Sequence, residues 1–210
     1  TRCSRDWSSD VCSSDLSLLE PADISREAVQ SGAVLFLEGY LFDRDEAKAA
    51  FKVASKYAHE AGRKVSLTLS DSFCVDRHRE DFLDLILNDI DVLFCNEFEL
   101  QSLYQTSYEE ALEQLRNDCE FGAVTRDKRG SVVINGHDLV HIEPEPVERV
   151  IDATGAGDQY AAAFLYGFTR GMSIEHCGRL GSMAASEVIT HVGPRPLVQL
   201  STLIPEHLRS

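Results

Sequence analysis

The sequence predicts an α/β protein built on a mainly parallel sheet. Short apolar runs recur at residues 33–37 (AVLFL), 64–69 (KVSLTL) and 92–94 (VLF). Each is almost entirely apolar or β-prone, as a strand covered on both faces must be. The stretches between them carry helical periodicity, and strand-helix-strand alternation is the βαβ signature of a parallel sheet.

The elements follow in chain order. Residues 45–59 place Ala47, Ala50, Phe51, Ala54, Tyr57 and Ala58 three and four apart, so one helical face is apolar, and Gly62 stands just past its end as a stop. Residues 76–87 repeat the pattern with Phe82, Leu83, Ile86 and Leu87. From 122 to 150 the rhythm changes to short strands, GAVT, SVVI, DLVHI and PVERV, separated by the turn formers Asp127, Lys128, Gly130, Asn135 and Gly136. A meander is expected there, with Asn135-Gly136 as a two-residue hairpin turn in which both positions tolerate positive φ. Helices return at 158–169 and 173–190, each with Ala, Gly and Ser on one side so that they can pack closely. After residue 16 there is no internal repeat, low-complexity tract or interdomain linker.

Composition narrows the function classes. The chain has 210 residues, 43% hydrophobic and 26% charged, which excludes a disordered chain and a small disulfide scaffold. A net charge of −15 repels phosphate backbones, so nucleic acid is not an expected partner. No apolar run approaches the roughly 18 residues that a membrane span requires, so no membrane partner is expected either. Cys74, Cys95, Cys119 and Cys177 lie far apart and never as Cys-x-x-Cys, the pattern of reduced thiols in a cytoplasmic protein. The seven histidines read as surface positions, and no zinc site is expected. Residues 1–16 (TRCSRDWSSDVCSSDL) match nothing after them in composition or period, and DWSSDVCSSDL resembles a translated frame of a short-read sequencing adapter. They are expected to be non-native, with a natural disordered tail as the alternative.

The strongest chemical signal is DATGAGD at 152–158, running straight into the small-residue helix QYAAAFLYGF. Gly155, Ala156 and Gly157 let bare backbone N–H groups converge at a helix N-terminus, where the macrodipole also favours negative charge. Asp158 in the first turn is placed to take a proton from a hydroxyl as it attacks phosphorus. The plainer alternative is a glycine turn with a dipole-favoured acid. A Walker loop is absent, and a Rossmann fingerprint would need glycine where Tyr160 stands.

DATGAGD with its alanine-rich helix resembles the C-terminal signature of the ribokinase-like (PfkB) family of carbohydrate and nucleoside kinases. DVLFCNEFE (91–99), AVTRDKRGS (123–131) and EHCGRLGSMAASEVITHVGPRP (175–196) agree in order and spacing, so the resemblance covers essentially everything after residue 16. LTLSDSFCVDRHRE (67–80) and the MAASEVI helix look most like the adenosine-kinase branch. The resemblance implies a three-layer α/β/α sandwich. Residues 17–210 would then be the C-terminal part of a kinase domain, without its first strands, the acceptor-binding residues they carry and a small lid.

Residue by residue, the resemblance implies that Asp158 is the catalytic base and that Gly155, Ala156 and Gly157 stabilise the transferring phosphoryl. Asn96 and Glu99 match the family's Asn-x-x-Glu element, with Glu99 holding Mg²⁺ through water; the same pair also spells a helix capping box. Thr125, Arg126 and Gly130 match the nucleotide turn, although Asp127 stands where many members have glycine. Such an acid would be unfavourable beside phosphates unless it points outward. Asp152 and Thr154 correspond to a monovalent-cation site for K⁺. Ser182 and the loop from His191 to Arg195 fall where relatives enclose adenine, and Ser182 could equally be a helix–helix contact. The implied reaction uses ATP and Mg²⁺ to phosphorylate a small-molecule nucleoside or sugar, adenosine to AMP foremost. A fructokinase- or ribokinase-type sugar kinase is the alternative, and an inactive fragment or non-catalytic nucleotide-binding protein is the alternative of another class.

Overall fold

A computed structural model describes residues 18–204 of the chain. The sequence-based expectation for residues 1–16 lies outside them. Six strands form one sheet in chain order: β1 (Val34–Glu38), β2 (Lys64–Thr68), β3 (Val92–Asn96), β4 (Phe121–Thr125), β5 (Ser131–Asn135) and β6 (Asp138–Ile142). The first four are parallel and the last two join antiparallel, in the registers Phe121 to Asn135 and Ser131 to Ile142.

Among the described residues, eight α-helices flank the sheet: α1 (Arg26–Ser31), α2 (Asp45–Glu60), α3 (Ser72–Arg77), α4 (Arg79–Asp89), α5 (Glu97–Tyr104), α6 (Tyr108–Asp118), α7 (Ala156–Phe168) and α8 (Ile174–Val188). Strand alternation sorts them into two layers. Leu67, Leu93, Cys95, Val124 and Ile134 face one way, into a core shared with Phe51, Phe82, Leu100 and Leu115 of α2, α4, α5 and α6. Val92, Phe94, Ala123 and Val133 face the other way, into a core built with Tyr160, Phe164 and Cys177 of α7 and α8. The result is the three-layer sandwich, with strands buried on both faces as their unbroken apolar runs require.

The structure corrects several sequence expectations. The helix expected at 76–87 is two helices broken at His78. Asp71 starts the first of them early by accepting the Phe73 and Cys74 amides at 2.6 and 2.9 Å, and the chain then bends where His78 Nε2 meets Asp43 at 2.8 Å. The segment PVERV is not a strand. Pro144, two residues before it, and Pro146, its first residue, remove ladder donors, and the meander ends at Ile142. The hairpin turn sits one residue later than expected. Asn135 pairs with Asp138, so Gly136 at φ +60° leads the two-residue loop and Asn135 stays in the strand. Helices α1 and α6 are additional to the sequence reading, and α5 starts at the capping box spelled by Asn96 and Glu99.

Candidate active site

The C-terminal ends of β1, β2 and β3 and the N-terminus of α7 enclose a cleft of about 1010 Å³. In parallel sheets this is where ligands sit, because the loops leaving the strands can vary without disturbing the core. Glu38, Thr68, Ser70, Asn96 and Glu99 come to it from the strand ends, and Thr154 to Asp158 come from the α7 side. A second cavity of about 420 Å³ lies between the 125–130 turn, residues 144–150 and helices α7 and α8. Ala156 and Gly157 line both, so the two spaces meet at the first turn of α7.

That turn is built by two glycines with different duties. Gly155 is the N-cap at φ +80°, and a Cβ on it would lie 2.5 Å from Cβ of Pro194. Both its left-handed backbone and its packing against the 191–195 loop therefore demand glycine. A Cβ on Gly157, in contrast, would meet no protein atom within 4 Å. Packing does not explain that glycine; its missing side chain leaves open space at the junction of the cavities. The amide of Ala156 is already used by Ala153 O at 3.1 Å, and the helical ladder starts with Gln159 N to Gly155 O at 2.9 Å. The amides of Gly157 and Asp158 lie between these two bonds, so they are the first-turn donors that the ladder leaves over. Asp158 itself is exposed and lines the larger cleft.

Across the cleft, Asn96 caps α5 by accepting the Phe98 and Glu99 amides, both at 2.9 Å. Glu99 reaches back to accept the Asn96 backbone and side-chain N–H groups at 2.9 and 2.6 Å. The capping box forms, and both of its residues also line the cleft. Burial pushes the Glu99 carboxyl up to about 7, against the pull of the Asn96 amide and with further repulsion from Asp71 and Glu38. Glu38 is raised as well, first by burial and partly by the charge of Asp158, while a hydrogen bond from Ser70 opposes the shift.

The remaining expected residues divide. Thr125 lines both cavities, and Gly130 and Ser182 line the second. Arg126 lines neither: its guanidinium lies 3.9 Å from the Tyr108 ring centroid and its Nε bonds Glu97 at 3.2 Å. Asp127 adopts φ +51° and is exposed, and it lines the second cavity together with Lys128. Asp152 fastens loops, accepting Thr154 N at 2.9 Å and Gly193 N at 3.0 Å; the Thr154 side chain first, then these amides, hold its carboxyl down to about 2. Glu38, Ser70 and Tyr40 line the cleft and were not singled out by sequence. A usable signal existed for Glu38, a charged residue ending an apolar strand run on the side where parallel sheets bind ligands.

Residues 12–200 match the family described as pfkB family carbohydrate kinase. The chain belongs to this family. Among solved structures, the adenosine kinase from Sinorhizobium meliloti superposes with a TM-score of 0.86 at 46% identity, covering 89% of this chain and 57% of that one. A ribokinase from Arabidopsis thaliana, solved with ribose and ATP, shares the fold at a TM-score of 0.70 and 23% identity, covering 88% of this chain and 58% of that one. The cytidine kinase of Thermococcus kodakarensis is 31% identical over 141 residues, 63% of this chain and 49% of its own length. The chain spans about half the length of the curated relatives it matches. Its three-layer architecture is therefore the ribokinase-like fold of a pfkB sugar or nucleoside kinase. Among the described residues, no helix is long and apolar enough to cross a membrane.

Proposed function

We propose that the whole protein transfers the terminal phosphoryl group of ATP to a primary hydroxyl of a nucleoside, adenosine foremost. The observation that carries this reading is Gly157. It stands where two cavities meet, without a side chain and with no packing reason to lack one, beside the Asp158 carboxylate. A nucleotide in the smaller cavity would bring its terminal phosphate to this junction, and an acceptor in the larger cleft would approach from the opposite side.

The chain's own groups then have separate tasks. Asp158 takes the proton of the acceptor hydroxyl while the oxygen–phosphorus bond forms and the bond to the departing ADP breaks. The Gly157 and Asp158 amides, with the α7 dipole behind them, hold the negative charge on the phosphoryl oxygens. Mg²⁺, when bound, supplies positive charge to the phosphates. Glu99 is the group to hold it through water: it lines the cleft, its carboxyl is raised first by burial, and a cation would relieve the further repulsion from Asp71 and Glu38. Asp152 and Thr154 are the pair that a K⁺ would use.

Adenosine is favoured by the likeness to the Sinorhizobium meliloti adenosine kinase. Sugar acceptors are the second reading, because the curated relatives also include an uncharacterized sugar kinase from Archaeoglobus fulgidus, 34% identical over 114 residues, 54% of this chain and 45% of its own length. The test is ADP release by the full-length protein with adenosine, cytidine, ribose and fructose as acceptors. Turnover fastest with adenosine supports the proposal, turnover fastest with a sugar transfers it to the second reading, and no turnover with any acceptor removes it.

A further inference from the structure

We propose that Glu97 is a positioning residue that locks the turn at residues 126–130 into the shape that binds the nucleotide. The inference deepens the proposed function and rests on its assignment of the smaller cavity to the nucleotide. Glu97 is the first residue of α5, between the two members of the capping box, and none of the roles above uses it. Its carboxylate is buried, with 12% of the side chain exposed. It turns away from its own helix toward the β4–β5 connection. There it accepts a hydrogen bond from Arg126 Nε at 3.2 Å and another from the Arg129 guanidinium. Arg126 is fixed from the other side by the Tyr108 ring at the start of α6. One carboxylate thus ties both ends of the turn's 3-10 segment to the helix pair behind Asn96 and Glu99.

The turn needs such a tie because its backbone is unfavourable alone. Asp127 occupies the left-handed region at φ +51°, where a non-glycine residue is disfavoured. Gly130 sits at φ +72° against the next strand, and a Cβ there would lie 2.0 Å from Ile142 O. Within the turn, Arg126 N reaches Gly130 O at 2.8 Å and Gly130 N reaches Asp127 O at 3.1 Å. Asp127, Lys128 and Gly130 line the second cavity, so losing this conformation would reshape that wall directly. Glu97 touches none of the proposed ligand space; it acts through the two arginines. Removing it would leave buried Arg126 without its carboxylate partner, the costly kind of ion-pair disruption.

The experiment uses the complete chain in wild-type, Glu97→Ala and Glu97→Gln forms, with Mg-ATP binding measured by calorimetry and amide hydrogen exchange followed in parallel. Expected results are a rise of about tenfold or more in the dissociation constant for Glu97→Ala and a smaller rise for Glu97→Gln, which keeps one acceptor oxygen. Exchange should accelerate at residues 126–130 while the amides of α5 and α6 stay protected. Unchanged or tighter binding in Glu97→Ala, the result expected if released arginines simply attract phosphate, overturns the inference. So does a loss of protection spread through α5 and α6, which would mark a purely structural role. If the wild type itself fails to bind Mg-ATP, the nucleotide assignment falls with it. The exchange pattern then still decides whether Glu97 holds the turn.

Discussion

Gly155 and Gly157 stand two residues apart in one motif, yet opposite consequences follow from filling them. Gly155→Ala would force a side chain into the left-handed region and into Pro194, whose Cβ lies 2.5 Å from the added atom. A loss of about 2–4 kcal/mol is expected, read as a lowered midpoint in urea unfolding. Gly157→Ala has open space around it and gains helix propensity, so stability should stay within about 1 kcal/mol of wild type or rise. Its methyl would occupy the phosphate junction, and Mg-ATP affinity should fall by about tenfold or more. Equal loss of stability in both variants would contradict the division of labour. From sequence the two glycines read alike, since a spacing of small residues shows that backbone is bared but not to what. Distinguishing them required the position of Pro194, 39 residues downstream of Gly155.

At the scale of elements, the strand-to-helix junction from β3 to α5 carries both a helix cap and the most displaced acid of the cleft. Glu99 holds its proton to about 7 in the folded chain, against an ordinary value of 4.5. Between those values the native state binds a proton that the unfolded state has released. The contribution of this group to stability is therefore complete below about 4.5 and is lost as pH rises toward 7. Glu99→Gln cannot ionise, so it should melt above wild type at pH 8 and close to it at pH 5. Parallel melting curves across that range would contradict the burial account. In Mg²⁺, the wild-type difference should shrink, because a cation stabilises the charged form, whereas Glu99→Gln should not respond.

Elements were legible wherever one local pattern decided them. The apolar strands, the helix at 45–59 and the two small-residue helices stand within about three residues of their expected limits. The break at His78 was hidden because the apolar spacing runs on past it, while the cap on Asp71 and the contact with Asp43 are made by residues outside the periodic face. The hairpin shift had a similar origin: Asn135-Gly136 permits two registers, and pairing with β4 and β6 selects the one with Gly136 in the lead. For the site, the motif placed Asp158 and the Asn96–Glu99 pair in one cleft. Arg126 reads as a nucleotide contact from its matching position, but that position says nothing of Glu97 and Tyr108, which engage its side chain away from both cavities.

Across the whole molecule, two cores on opposite faces of one sheet set the position of the junction between the two cavities. Phe94 and Phe164 meet edge to face at 5.2 Å, joining β3 to α7, and both sit within the core on the α7–α8 side. The same strand that carries Asn96 at its end therefore also seats the helix that carries Asp158. Glu38, Glu99 and Asp158 line the larger cleft, with the charge of Asp71 acting on Glu99, so the cleft is acidic, as a site for a cation-bound phosphate would be. On the proposed mechanism, Asp158 removes the proton of the acceptor hydroxyl. This step is tested most directly by the single-turnover rate of ADP formation in the full-length protein with Asp158→Asn, folding and Mg-ATP affinity being measured on the same sample. A fall in rate of about 10²–10⁴-fold with nucleotide affinity retained is the predicted result; a rate near wild type in the folded, ATP-binding variant would contradict it.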